Sequence, residues 1–212
     1  CINVINKLGT GSGGTRNIGG THSAICKLEK KIAAFHSKES SIVTTSGYIA
    51  NLSALSSIAK IIPDIVFFSD ARNHASIIDG IKLRNAKKVI FEHNDINDLE
   101  NKISLLDINM PKMIVTEGVF SINGNFSPLR DLCKIAKQYN AMMYLDEVHS
   151  VGLYGRYGAG VANMLGLKDE IDIIQGNLAK SIGLIGGYIS GERYIIDAIR
   201  SYASSFIFTT SL

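Results

Sequence analysis

The sequence predicts an α/β protein, a three-layer domain in which helices flank a mostly parallel sheet. Two observations support this fold class. Short, almost wholly apolar runs recur along the chain, such as DIVFFSD at 64–70 and KMIVTEGVF at 112–120, as expected for strands buried on both faces. Between them lie segments with apolar residues every three or four positions, which is typical of helices that cover such a sheet.

These elements alternate along the 212 residues. Helices are predicted over 22–38, 48–61, 74–84, 96–106, 127–140 and 192–202. Strands are predicted over 41–45, 64–70, 88–93, 112–120, 141–147, 172–176 and 186–191. In the helix at 127–140, Ser127 is the predicted N-cap and Pro128 the first helical residue.

Charge and cysteine content argue against several classes of function. The net charge is +3 with no basic tract, which argues against nucleic acid as a partner. Cys1, Cys26 and Cys133 lie far apart without CxxC spacing, so we expect neither a metal site nor a disulfide framework. No apolar run is long enough to span a membrane. We expect a reducing compartment, a bacterial cytoplasm or a mitochondrial matrix.

The glycine-rich stretch GTGSGGTRNIGGT at 9–21 contains the pattern GxGxxG. A dinucleotide-binding fingerprint also needs a strand before it and a helix that opens inside it. Here the helix is predicted to begin only near Ser23, so that interpretation is weak. An irregular glycine loop and a loop that brings Thr15, Arg16 and Asn17 close to a substrate both remain open.

Polar residues follow the predicted strands, at the edge of the sheet where ligands bind in such folds. Asp146 ends one strand, and a buried carboxylate is costly unless it is paired. It is either a structural cap or ion-pair partner, or a carboxylate that faces a cation such as a protonated pyridine nitrogen. Another strand leads into Lys180, in the stretch QGNLAKSIGLIGG at 175–187 that holds no other charge.

Lys180 is either a surface lysine, the commoner case, or a reactive amine held in a site. A lysine desolvated there would have a lowered pKa, as Schiff-base chemistry requires. An Asp at one strand end and a Lys after another is the arrangement that binds pyridoxal phosphate.

Seven longer stretches together resemble one family. They are GSGGTRNIGGTH (11–22), TSGYIANLSAL (45–55), FSDARNHASIIDGI (68–81), EGVFSINGNFSPL (117–129), LDEVHSVGLYGRYGAG (145–160), GNLAKSIGLIGGYIS (176–190) and SFIFTTSL (205–212). With them the whole chain resembles the α-oxoamine synthases, pyridoxal-phosphate enzymes of the aspartate aminotransferase fold (fold type I). The triplet Thr15-Arg16-Asn17 favours the branch of that family that forms 5-aminolevulinate.

The resemblance implies pyridoxal 5'-phosphate as the cofactor and Lys180 as its Schiff-base lysine, which also removes a proton from bound glycine. Asp146 would pair with the pyridine nitrogen, and His149 would hydrogen-bond the ring oxygen. His74 would stack on the ring face. Ser121 would lie near the cofactor and the glycine carboxylate.

Further roles follow from the same resemblance. Gly47, Tyr48 and Asn177 would contact the cofactor phosphate, although Asn177 stands where the family usually has Thr. Gly19 stands where a Ser is usual. The remaining implied contacts are with the partner subunit and the acyl substrate: Thr209 and Thr210 at the partner's phosphate, Thr15 and Asn17 at the succinyl group across the dimer interface, and Ser69 and Lys88 at coenzyme A.

The reaction implied is the condensation of glycine with succinyl-CoA to 5-aminolevulinate, CoA and CO2, the first step of tetrapyrrole and heme synthesis, in a homodimer with its active site at the subunit interface. A sister synthase, of the 2-amino-3-ketobutyrate CoA ligase or 8-amino-7-oxononanoate synthase type, and a non-catalytic remnant remain as alternatives. Family members are about twice as long. Residues 1–212 are therefore predicted to be a partial large domain, without the N-terminal segment and the C-terminal small domain.

Overall fold

The computed structural model describes residues 2–212, and a seven-stranded sheet forms its centre. The strands are β1 (Ser40–Thr44), β2 (Val66–Asp70), β3 (Lys87–Phe91), β4 (Lys112–Glu117), β5 (Ala141–Asp146), β6 (Ile173–Asn177) and β7 (Gly187–Gly191). Their order across the sheet is β1-β7-β6-β5-β4-β2-β3. The neighbours from β6 to β3 are parallel, whereas β7 is antiparallel to both β1 and β6. The predicted mostly parallel sheet is confirmed.

Helices occupy most of the connections between strands. They are α1 (Ile2–Leu8), α2 (Ser23–Phe35), α3 (Gly47–Ile61), α4 (Ala75–Lys82), α5 (Ile96–Ile103), α6 (Leu129–Gln138), α7 (Val161–Met164), α8 (Arg193–Tyr202) and α9 (Ser204–Ile207). The helices α2 to α6 and α8 lie where the apolar periodicity predicts them. Among residues 2–212, no helix is both long enough and apolar enough to cross a membrane.

The helices cover both faces of the sheet. One apolar cluster joins α3, α4, α8 and α9 to sheet residues that include Phe67, Tyr144 and Ile173. A second joins α5, α6 and α7 to residues that include Phe68 and Leu145. Phe67 and Phe68 are neighbours on β2 and enter different clusters, because successive side chains of a strand point to opposite faces. The three-layer architecture is therefore confirmed.

One predicted helix start is wrong. Helix α6 begins at Leu129, after Pro128, and no side chain caps its first turn. Ser127 does not act as the N-cap, since its buried hydroxyl has no hydrogen-bond partner among the described residues. Its backbone N–H instead donates to the carbonyl of Gly118, at 3.3 Å. This contact fixes the segment that enters α6 against the end of β4.

The glycine-rich loop lies between α1 and α2, so the weak dinucleotide-binding interpretation is wrong. A helix rather than a strand precedes the loop, and α2 begins only at Ser23. Arg16 anchors the loop, because its buried Nη1 donates to Oε1 of Glu29 at 2.8 Å. The guanidinium also lies over the ring of Phe206, 5.6 Å from its centroid.

The sheet brings the polar strand ends to one edge. In the β4–β5 register Glu117 lies opposite Asp146, and in the β5–β6 register Asp146 lies opposite Gln175. The N-terminus of α3 reaches the same edge because β7 allows a close approach. A Cβ added to Gly187 would overlap the backbone of Ser46.

Candidate active site

A cavity of about 280 Å³ lies where the carboxyl ends of β4, β5 and β6 meet the N-terminus of α3. It collects residues that are far apart in the sequence. The predicted site residues that line it are Gly47, Tyr48, His74, Asp146, His149, Asn177 and Lys180. The arrangement follows from the parallel sheet, because the loops after its strands all converge on this edge.

Asp146 is the buried carboxyl group of the cavity, with 4% of its surface exposed. Its Oδ2 accepts a hydrogen bond from Nδ2 of Asn51 at 2.8 Å, and its Oδ1 accepts one from the backbone N–H of Val148 at 2.9 Å. Burial raises the pKa of Asp146, while these two hydrogen bonds and the nearby His74 lower it. The carboxyl group is thus held in one orientation by donors that favour its charged form.

Asn51 extends this contact into a buried network. Its Oδ1 accepts the hydroxyl proton of Tyr144 at 2.6 Å, and its Nδ2 also donates to Oγ of Ser76 at 2.9 Å. Ser76 Oγ in turn lies 2.8 Å from Nδ1 of His74. A continuous chain of hydrogen bonds therefore links Asp146 to His74, and sequence reasoning did not assign either intermediate residue.

His74 occupies the N-cap position of α4. Its Nδ1 accepts the backbone N–H of Ser76 at 3.2 Å, and its own backbone N–H donates to Oε1 of Glu117 at 2.6 Å. The ring of Tyr48 meets it edge-on, with 6.4 Å between the ring centroids. His74 therefore caps α4, and this role holds the imidazole at the cavity wall.

His149 lies three residues after Asp146 in the sequence, lines the same cavity and is half-buried. Burial lowers its pKa, and the positive charges of Lys180 and His74 lower it further. A neutral imidazole, which has one N–H donor and one acceptor nitrogen, is therefore favoured at neutral pH.

Lys180 lies three residues after β6 and lines the cavity, yet the residue is exposed. The desolvation considered from its apolar flanks is therefore not observed in this structure. Its backbone N–H donates to Oδ1 of Asn177 at 3.3 Å. Asn177 thus fixes the turn that carries the lysine.

The N-terminus of α3 forms another wall of the cavity. Oγ of Ser46 caps this helix by accepting the N–H of Ile49 at 3.1 Å. A Cβ added to Gly47 would lie 3.1 Å from Cβ of Asn177 and 3.3 Å from Nε2 of Gln175, so this position keeps the helix end close to β6. Because the first N–H groups of a helix lack intrahelical acceptors and carry partial positive charge, the wall suits an anion.

Two predicted coenzyme A contacts lie elsewhere. Ser69 and Lys88 line a separate depression of about 300 Å³, together with apolar residues such as Ile78 and Ile81. Ser69 is buried and accepts a hydrogen bond from Nδ2 of Asn73 at 2.9 Å, whereas Lys88 is exposed. The structure thus brings these two predicted residues together, outside the cavity of Lys180.

The remaining predicted residues also lie outside that cavity. Thr209 and Thr210 line a small depression at the end of the chain, and Thr15 pairs with Thr210 in an isolated β-bridge. Asn17 is exposed, and its Nδ2 donates to the carbonyl of Arg200 at 3.1 Å. Ser121 is exposed in the segment after β4.

Metal ligation finds no support in the part of the chain that the structure describes. Residues 2–212 contain no group of three or more His, Cys, Asp or Glu side chains placed to hold an ion. The two cysteines at 26 and 133 are free thiols. The cavity is therefore best described by its lysine, its carboxyl groups, its histidines and its helix end.

Comparisons with known proteins agree with this fold. The family described as aminotransferase class I and II matches residues 1–212. The 5-aminolevulinate synthase of Rickettsia bellii is 56% identical over 211 residues, which cover 100% of this chain and 51% of that protein. The chain spans about half the length of the curated relatives it matches.

Solved structures give the same fold. A serine palmitoyltransferase structure with a pyridoxal-phosphate internal aldimine superposes with a TM-score of 0.94 at 35% identity, and covers 100% of this chain and 52% of its own. The 8-amino-7-oxononanoate synthase of Francisella tularensis superposes with a TM-score of 0.81 at 30% identity, and covers 100% of this chain and 58% of its own.

Proposed function

Because the chain belongs to the aminotransferase class I and II family, we propose that the protein containing it is a pyridoxal-phosphate-dependent 5-aminolevulinate synthase. It would condense glycine with succinyl-CoA to give 5-aminolevulinate, CoA and CO2. The observation that carries this proposal is the cavity in which Lys180, Asp146 and His74 meet. The 56% identity to a 5-aminolevulinate synthase favours this reaction over others in the family.

Three features of the cavity support pyridoxal phosphate as its ligand. Its volume of about 280 Å³ is near the lower end of ligand pockets. The N-terminus of α3, with Asn177 beside Gly47, would hold the phosphate. The buried carboxyl group of Asp146 would face the ring nitrogen, and Lys180 would reach the aldehyde.

The bound cofactor supplies an aldehyde that takes up an amine and a ring that accepts the electrons of a broken Cα bond. Lys180 would have two tasks in this scheme: its Nζ would hold the cofactor, and the amine that glycine displaces from it would then accept the proton that leaves Cα of glycine. Asp146 would keep the ring nitrogen protonated, because hydrogen bonds from Asn51 and Val148 favour the anionic form of its carboxyl group. His74 borders the ring site, and the Ser76–Asn51 bridge fixes its imidazole.

The acyl substrate would use the second depression. A lysine suits the phosphates of coenzyme A, and Lys88 lies there beside Ser69 and an apolar wall. Thr15 and Asn17 remain the proposed contacts of the succinyl group, and Ser121 the proposed contact of the glycine carboxylate.

A homodimer is part of the proposal. Thr209 and Thr210 do not line the cavity of Lys180 but a separate depression, which is consistent with a role at the partner's cofactor phosphate. A bacterial cytoplasm is the proposed compartment, supported by the bacterial sources of the relatives.

Two measurements on the full-length protein test the function. Borohydride reduction followed by peptide mapping should place a pyridoxyl label on Lys180, and Lys180→Ala should remove it. Label on another lysine, or none, contradicts the cofactor assignment.

Incubation of the protein with glycine and succinyl-CoA should then yield 5-aminolevulinate. Turnover with alanine and pimeloyl-CoA, or with glycine and acetyl-CoA only, would instead identify a sister synthase. A loaded protein that turns over none of these substrates would be a non-catalytic remnant.

A further inference from the structure

Glu117 is a carboxyl group of the cavity to which the proposed function gives no role. It ends β4, has 3% of its surface exposed, and lines the same cavity as Lys180. Its Oε1 accepts the backbone N–H of His74 at 2.6 Å. Its position on β4 is paired in register with Asp146 on β5, so both side chains leave the sheet on the same face.

Two buried carboxyl groups on adjacent strands do not ionise independently, because the second negative charge is opposed by the first and by burial. Their hydrogen bonds decide which one keeps the proton. Asp146 accepts two hydrogen bonds, from Asn51 and from Val148. Glu117 accepts one, from His74. Since donors stabilise the charged form, the anion belongs on Asp146 and the proton on Glu117.

The electrostatic surroundings point the same way. Burial first, and then the charge of Asp146, raise the pKa of Glu117 to about 8, although the hydrogen bond from His74 opposes the shift. The titratable groups that face Glu117 are Asp146 on β5, Asp70 at the end of β2, His74 before α4, Glu147 against the adjacent Gly118, and His149 and Lys180 across the cavity. The charges of Asp146 and Asp70 both favour a neutral Glu117.

We propose that Glu117 is a positioning residue that acts as a neutral carboxylic acid at neutral pH, anchoring His74 while Asp146 remains the single anion at the cofactor ring. The proposal rests on the proposed function for its ligand. A protonated ring nitrogen would carry one positive charge, which one anion matches. An ionised Glu117 would add a second negative charge and raise the pKa of Asp146.

Glutamine is the neutral, near-isosteric test of this role. The sign of the expected pH dependence follows from proton linkage. Because the folded protein holds the Glu117 proton more tightly than the unfolded chain, the contribution of Glu117 to stability is lost as pH rises from 4.5 to about 8 and is level above. In cofactor-free full-length protein, the thermal midpoint of wild type relative to Glu117→Gln should therefore fall across this window.

The matched control is Glu92→Gln, at an exposed glutamate, which should leave the wild-type pH profile unchanged. If Glu117→Gln follows the wild-type profile, or does not fold at any pH, a neutral acid at this position is ruled out. This readout needs no cofactor, so it separates failure of the inference from failure of the proposed function.

Cofactor affinity at neutral pH tests the positioning role. Measured by the absorbance of bound pyridoxal phosphate, the Kd of Glu117→Gln should stay within about twofold of wild type, since the neutral amide keeps an acceptor for the backbone N–H of His74. Glu117→Ala, which removes the acceptor for His74, should raise the Kd about tenfold. An equal loss of cofactor affinity in both variants would overturn the proposal, because the neutral glutamine should retain the affinity of wild type.

Discussion

Nδ2 of Asn51 lies 2.8 Å from Oδ2 of Asp146, and the same amide accepts the hydroxyl proton of Tyr144. A residue in the second turn of helix α3 therefore orients the carboxyl group that would face the cofactor ring. We predict that Asn51→Ala raises the Kd for pyridoxal phosphate about tenfold, because a hydrogen bond to a charged group contributes about 1.5–3 kcal/mol. Absorbance titration measures this. Asn101→Ala, at an exposed asparagine of α5, is the control, and equal affinities in the two variants would contradict the role.

The Asn177 side chain fixes the Lys180 turn through its Oδ1 and lies beside Gly47 at the helix end. We predict that Asn177→Thr tightens pyridoxal phosphate binding, because the β-branched threonine side chain is shorter and stiffer at χ1 than asparagine. Threonine is also the residue that the α-oxoamine synthases usually have at this position. Asn177→Ala, which removes the donor, should bind more weakly than either. An unchanged or weaker affinity of Asn177→Thr counts against the phosphate role.

The buried His36 should make stability depend on pH. Burial, helped by the charge of Lys38, lowers its pKa from 6.5 to about 4, and its Nε2 lies 2.9 Å from the hydroxyl of Tyr188. The unfolded chain binds the His36 proton more tightly, so the contribution of His36 to stability should be complete above pH 6.5 and fall as pH drops towards 4. The expected loss is about 3 kcal/mol, at 1.36 kcal/mol for each pH unit.

Denaturant unfolding of wild type and His36→Gln across this window measures the loss. Only the difference between the two proteins is informative, because Glu117 contributes a dependence of opposite sign in part of the same range. A difference that is constant with pH would contradict the prediction.

Position 176 should tolerate only glycine. A Cβ added to Gly176 would overlap the hydroxyl and ring of the buried Tyr188, so Gly176→Ala should destabilise the protein by about 1–3 kcal/mol. The control is Gly19→Ser, because a Cβ at Gly19 meets nothing within 4 Å, and its effect should stay within about 0.5 kcal/mol. Thermal unfolding of both variants is the measurement, and similar midpoints would show that the strand shifts to relieve the overlap.

The strands could be predicted because a strand buried on both faces consists almost wholly of apolar residues. The long helices could be predicted because they carry apolar residues every three or four positions. The short helices could not. Helix α1 has no buried residue, and α7 and α9 each have four residues, which is less than two turns and too few to show a period. The cap of α6 was mispredicted because Ser127 uses its backbone, rather than its hydroxyl, to contact Gly118.

Within the candidate site, the residues at strand ends could be predicted, since topology alone brings them to one edge. Asn51 and Ser76 could not, because their roles depend on contacts between helices α3 and α4 that no local pattern reveals. One signal was present: Asn51 is an amide in a run that is otherwise apolar or small, YIANLSAL, and it is 1% exposed. A polar residue at such a position needs a partner.

The reversal of β7 has a consequence for how the chain is made. Strand β1 lies at the edge of the sheet and pairs with β7 alone, so Ser40 finds its partner at Gly191. During synthesis, roughly 150 residues must emerge before β1 can pair. Until then it exposes a short apolar strand edge, the kind of surface that invites association between nascent chains. Completion of the contact between β7 and the N-terminus of α3, which follows β1 directly, is therefore a late and non-local event in folding.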